Sequence, residues 1–107
     1  MTERWVQVAA VDQIPTGHAA RVEIDGRPIA LFNVAGNFHA VDDTCSHAEA
    51  SLSEGELDVS RCAVECPLHG AVFDLLSGEP LTLPAVEPVQ VHEVRVDEGV
   101  LYVGVVG

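Results

Sequence analysis

Apolar and polar side chains alternate along most of this chain with a period of two, and turn-forming residues break the alternation about every eight to twelve positions. Successive side chains of a strand point to opposite faces, whereas a helix repeats about every 3.6 residues, so the pattern selects half-buried strands. The expected fold class is all-β. Residues 5–9 form a first strand, and 12–17, with Pro15 inside, form a loop. The firmest hairpin follows: 19–24 and 27–33 flank Asp25-Gly26, a pair that accepts the positive φ angles of a type I′ turn. Ala35-Gly36-Asn37 then turns the chain into a strand over 38–42, so the first forty residues read as a meander. Near the end, 89–96 and 100–103 around Asp97-Glu98-Gly99 form a second hairpin that returns to the first sheet. Pro80, Pro84 and Pro88 keep the segment before it out of a central strand, because proline donates no ladder hydrogen bond.

The chain has 107 residues, room for one domain over 1–107. With 48% apolar and 21% charged residues it fills a modest core and is not disordered. The net charge is −12, and the five basic residues, Arg4, Arg21, Arg27, Arg61 and Arg95, stand apart from one another. No basic stripe exists to neutralise phosphates or an anionic bilayer, so neither nucleic acid nor a membrane surface is an expected partner. The longest uncharged stretch, 28–41, is too short and too interrupted to span a bilayer. The amino terminus lacks the apolar run and cleavage site of a secretory signal, which gives a cytoplasmic expectation. The glycines form no dinucleotide fingerprint, P-loop or nucleophile elbow.

Between residues 43 and 78 the texture changes: Ser, Gly, Glu and Asp interrupt every apolar run, and all three cysteines arrive with two histidines. Short strands are expected over 62–66 and 71–74 around the turn Pro67-Leu68-His69-Gly70. An odd number of cysteines argues against a disulfide framework and for metal. The informative residues are Cys45-Ser46-His47 and Cys66-Pro67-Leu68-His69, two pairs separated by eighteen residues. Two soft anionic thiolates and two neutral imidazoles suit either zinc or an iron–sulfur centre. Short spacing within each pair fits ligands that project from two tight loops, with both cysteines on one iron and both histidines on the other. A zinc finger more commonly pairs like with like.

Cys-x-His, an intervening segment, then Cys-x-x-His-Gly resembles the Rieske iron–sulfur family. The likeness extends to Asp42-Asp43-Thr44 before Cys45, to 50–55, and to Gly70-Ala71-Val72-Phe73-Asp74 with Ser77-Gly78, which together resemble the small Rieske-type ferredoxins of bacterial ring-hydroxylating dioxygenases. The resemblance implies an antiparallel β-sandwich carrying a small cluster-binding subdomain over about 43–78, and one [2Fe-2S] cluster. Cys45 and Cys66 would bind the inner iron, and His47 and His69 the outer iron at the tip. Gly70 would let its backbone approach the centre, and Pro84, with Pro88 behind it, would lie in the covering loop. It further implies a one-electron carrier, not itself an enzyme, passing electrons from an NAD(P)H-dependent flavin reductase to a terminal aromatic ring-hydroxylating oxygenase, as a monomer. The alternatives are a Rieske-like small subunit of assimilatory nitrite reductase and a zinc-stabilised interaction module.

Replacing two thiolates by neutral imidazoles eases the addition of an electron, which places Rieske centres between about −150 and +300 mV. The respiratory-chain members of the family join their cluster loops by a disulfide, at positions held here by Ala50 and Leu68. They also offer serine and tyrosine hydroxyls to the sulfurs, where this chain has Ala71 and Phe73. Fewer donors disfavour the reduced state, so the expected potential is near −150 mV.

The remaining candidates have plainer readings. Cys62 fits neither ligand pair and is expected to be a small buried apolar residue, and His18, His39 and His92 are packed or surface histidines. Asp42, Asp43, Glu49, Glu54, Glu56, Asp58 and Glu65, opposed only by Arg61, form either a solvated face or a field that steers basic partners. Leu68, Pro84 and Val86 are candidates for the contact surface, while Trp5, Phe32, Phe38 and Tyr102 are read as core or sheet packing.

Overall fold

The computed structural model describes residues 3–45, 50–68, 70–82 and 87–106. Among the described residues there are nine strands: β1 (Glu3–Ala10), β2 (Ala19–Ile24), β3 (Arg27–Val34), β4 (Asn37–Asp42), β5 (Glu56–Asp58), β6 (Ala63–Glu65), β7 (Val72–Asp74), β8 (Val91–Asp97) and β9 (Val100–Val106). Six of them make one antiparallel sheet in the order β1-β9-β8-β4-β3-β2, and β5-β6-β7 make a second. The only helical pieces are single 3-10 turns at Val11–Gln13 and Leu52–Glu54 among the described residues, and no helix there is long and apolar enough to cross a membrane.

Turn chemistry sets the registers. Asp25 and Gly26 both take positive φ, 55° and 81°, which pairs Ile24 with Arg27 and fixes the whole β2–β3 ladder. The two later hairpins use the same device at less permissive residues, Ala35 with Gly36 and Glu98 with Gly99. Val34 therefore pairs with Asn37 and Asp97 with Val100, so Asn37 belongs to a strand and not to the turn.

The expected opening meander holds only for β2, β3 and β4. Strand β1 instead crosses to the far end of the sheet and pairs with β9, Trp5 opposite Gly104 and Gln7 opposite Tyr102. Alternation states which face a strand buries, but it does not name the neighbouring strand.

Strand β3 lies between two cores, which explains its continuous apolar run. Ile29 and Leu31 face Ile24, Ala40, Leu101 and Val103, so side chains of β9 meet those of β3 across a sandwich. The intervening Ala30, Phe32 and Val34 face the second sheet, packing with Leu52, Val64, Phe73 and Leu75. Phe32 and Phe73 are wholly buried, each contributing about 1.5–3 kcal/mol of transfer free energy. Gly55, at the entry to β5, has no room for a side chain: a Cβ there would overlap the carbonyl oxygen of Glu65.

Candidate metal centre

The two cysteine loops are closed in the same way. On leaving β4, the chain is held by a bond from Asp43 N–H to the Pro28 carbonyl (3.1 Å), and Cys45 N–H then donates to the Ala50 carbonyl at 2.9 Å. On leaving β6, Cys66 N–H donates to the Ala71 carbonyl at 2.7 Å, again five residues on, and Gly70 N–H returns to the Cys66 carbonyl at 3.0 Å. Each loop thus begins on a cysteine whose backbone is already fixed. Both cysteines are buried and share one apolar cluster with Leu52, Val64, Ala71 and Phe73. They form no disulfide. His47 and His69 lie outside the described residues, as do Glu49, Pro84 and Val86.

Two thiols anchored in an apolar wall, at the first residue of two loops closed alike, suit a soft metal centre. Gly70 has φ +73°, a left-handed conformation that a side chain resists, while a Cβ would meet only Glu65 Oε2 at 3.7 Å. Among the described atoms its glycine is thus required by the backbone angle more than by space. Ala71 and Phe73 are fully buried and offer no hydroxyl donor. Leu68 is 61% exposed, and Leu81, which the sequence did not single out, is 47% exposed on a segment hydrogen-bonded to Val72.

The described acidic residues near the motif divide into paired and exposed ones. Asp42 receives two bonds from Arg27, 2.9 and 2.8 Å, and one from His92 Nε2 at 2.8 Å. Burial alone would raise its pKa, but Arg27 and His92 together outweigh burial and hold the carboxyl below its usual range. Asp43, its neighbour, turns the opposite way and is buried against Arg21, Ser51 and Ser53. Asp58 bonds Ser60 and Arg61. Glu54, Glu56 and Glu65 remain exposed, and Glu56 lies directly opposite Glu65 on β5 and β6. The basic partners of Asp42 and Asp43 sit on β2, β3 and β8, distant in sequence, whereas those of Asp58 are local.

Cys62 departs from the expectation of a buried apolar residue. It is only partly buried, adopts φ +50° in the turn before β6, and places Sγ 3.5 Å from His39 Nε2. Burial, and secondarily Asp74, pushes this thiol up, while burial lowers His39 against the opposing pull of Asp74. Both shifts favour the neutral form, and no third metal-binding side chain joins them among the described residues. His92 is packed and His18 is exposed. Phe32 is core, whereas Trp5 stays 37% exposed with the Arg95 guanidinium 5.9 Å above its ring.

Comparison with known proteins places these loops in context. Residues 4–93 match the model of the Rieske [2Fe-2S] domain. The chain is 47% identical over 98 residues to the 3-phenylpropionate/cinnamic acid dioxygenase ferredoxin subunit of Photorhabdus laumondii, covering 92% of this chain and 91% of that one. Among solved structures it is similar to the ferredoxin of carbazole 1,9a-dioxygenase from Nocardioides aromaticivorans IC177, with TM-score 0.89, 35% identity, and 92% and 95% of the two chains covered. It is also similar to a chain in the complex of reduced oxygenase and oxidized ferredoxin in carbazole 1,9a-dioxygenase, with TM-score 0.87, 42% identity, and coverage of 92% and 91%.

Proposed function

This chain belongs to the Rieske [2Fe-2S] domain family, and from that premise we propose that it is the ferredoxin of an aromatic ring-hydroxylating dioxygenase system, a one-electron carrier with no catalysis of its own. It is one domain over 1–107 whose residues from about 43 to 78 hold the cofactor. Cys45 and Cys66 bind as thiolates and His47 and His69 as neutral imidazoles. The observation that carries this reading is the pair of buried thiols at the start of two loops closed by the same hydrogen bond.

The donor set fits the group. When bound, a Rieske centre supplies one reversible one-electron couple. The chain's own part is to fix the donors, exclude water from the cysteine side and leave the other side accessible. The wall of Leu52, Val64, Ala71 and Phe73 shields the thiols. Exposed Leu68 and Leu81 offer apolar contact for a partner that must dock briefly and leave. Electrons come from an NAD(P)H-dependent flavin reductase and go to a terminal oxygenase, each met by the carrier as a cytoplasmic monomer.

Reconstitution with such a reductase and oxygenase tests the assignment. Wild-type protein supports NAD(P)H-dependent ring hydroxylation, and His47→Ala or His69→Ala removes both the Rieske spectrum and the coupled turnover. Retention of either in both variants would contradict it.

A further inference from the structure

The two cysteine loops share a closing hydrogen bond but not a foundation. The second loop is the connection of a strand hairpin: β6 and β7 pair through Ala63–Asp74, Val64–Phe73 and Glu65–Val72, and this ladder runs directly into Cys66 and Ala71. Its outgoing arm is further tied by Val72 N–H to Thr82 Oγ1 at 2.9 Å and by Leu81 N–H to the Val72 carbonyl at 2.6 Å. Among the described residues the first loop has no such ladder. Thr44 and Ser51 make one isolated bridge, and the outgoing arm enters the 3-10 turn at Leu52–Glu54 in place of a strand.

What stands in for the missing ladder is the side chain of Asp43, 4% exposed. Its Oδ1 accepts Ser53 N–H at 2.9 Å, its Oδ2 accepts Ser51 Oγ–H at 2.5 Å, and Arg21 Nε stands 3.2 Å from Oδ2 as an ion pair. The main chain of the same residue accepts Leu52 N–H at 2.7 Å. One residue thus holds three consecutive positions of the outgoing arm, 51, 52 and 53, while it stands two residues before Cys45. A carboxylate buried this far costs several kcal/mol in desolvation unless every lone pair is engaged. Here its oxygens take two donors, Ser51 and Ser53, and the charge is balanced by the Arg21 guanidinium, which reaches in from β2 and remains half exposed. A buried charge spent on this arm is well suited to fixing its position, because bonds to a charged acceptor are stronger and stiffer than neutral ones.

We infer that Asp43 is a positioning residue for the cofactor, whose carboxylate, set by Arg21, fixes the arm opposite Cys45 and thereby the placement of Cys45. The inference rests on the reading of Cys45 and His47 as ligands. It assigns an asymmetry: the first loop depends on one side chain, the second on a backbone ladder.

The test compares purified holoproteins of wild type, Asp43→Ala, Asp43→Asn, Arg21→Gln and Thr82→Val, the last deleting a single bond at the second loop. Three quantities are read: the midpoint potential, the g values of the reduced EPR signal, and the rate of bleaching in excess chelator. Asp43→Ala should shift the potential and the g values and speed bleaching by about tenfold or more, the scale of losing a charged hydrogen bond. Asp43→Asn should be intermediate, since its carbonyl oxygen still accepts Ser53 N–H. Arg21→Gln should move in the same direction as Asp43→Asn, and Thr82→Val should leave all three near wild type. Should Asp43→Ala fail to accumulate, Asp43→Asn and Arg21→Gln decide: potential, g values and bleaching all equal to wild type overturn the inference. So does a Thr82→Val effect as large as that of Asp43→Asn. A wild type without a Rieske signal would instead overturn the proposed function, and the inference with it.

Discussion

Asp42→Ala is the substitution whose cost follows most directly from the described contacts. Asp42 joins three strands: it sits at the end of β4, takes two bonds from Arg27 of β3, and takes one from His92 of β8. The two partners differ in exposure. The Arg27 side chain is 51% exposed, so water replaces its lost bonds and the pair itself contributes at most about 1 kcal/mol. His92 is only 6% exposed, so its Nε2–H is left without an acceptor, at about 1–3 kcal/mol. The sum is about 1–4 kcal/mol, or a fall in Tm on the order of 10 °C for a domain of this size. Arg27→Gln, by contrast, costs no more than about 1 kcal/mol. Acid supplies an independent check. Because the folded state holds the Asp42 pKa below its unfolded value of about 3.9, the stabilisation is complete above that pH and is lost as pH falls through the folded value. The gap between wild type and Asp42→Ala should therefore close on that descent. The assay is anaerobic thermal unfolding of holoprotein followed by circular dichroism. A Tm within about 3 °C of wild type, or a larger loss from Arg27→Gln than from Asp42→Ala, would refute the reasoning.

Three further outcomes are expected. A redox titration should place the midpoint near −150 mV, the low end for Rieske centres, because Ala71 and Phe73 offer no hydroxyl; a clearly positive value contradicts this. Gly70→Ala should cost about 1–2 kcal/mol through the left-handed backbone, and Gly70→Asn less, since asparagine tolerates that conformation; equal losses in thermal unfolding would instead indicate crowding. Cys62, whose thiol is pushed up by burial and Asp74, should react with iodoacetamide at pH 8 more slowly than free cysteine; mass spectrometry showing it labelled as fast contradicts this.

Most of the strand framework was legible because local rules and global packing agree at the same residues. Asp25-Gly26 states a turn and its register at once, and the flanking alternation states the buried face. Strand β5 was missed because Glu56-Leu57-Asp58 is too short to show a period and has acidic ends. The place of β1 beside β9 was missed because nothing in Trp5–Ala9 names a partner at the other end of the chain. Ala35, Cys62 and Glu98 take left-handed angles that their residue types do not advertise; the hairpin ladder imposes them on Ala35 and Glu98. The ligand motif itself was local, which is why Cys45 and Cys66 could be singled out. Its support was not: Asp42 and Asp43 look like surface charge until Arg21, Arg27 and His92 are brought in from other strands. A buried carboxylate leaves no sequence signal beyond its proximity to Ser51 and Ser53.

The central claim is that two sulfurs and two imidazoles of this chain hold a pair of irons. Analysis of anaerobically purified protein for metal and acid-labile sulfide, with EPR of the dithionite-reduced sample, tests it most directly. The account predicts equal amounts of iron and sulfide and a reduced signal whose average g lies below the free-electron value. One zinc per chain, no sulfide and no signal would contradict it.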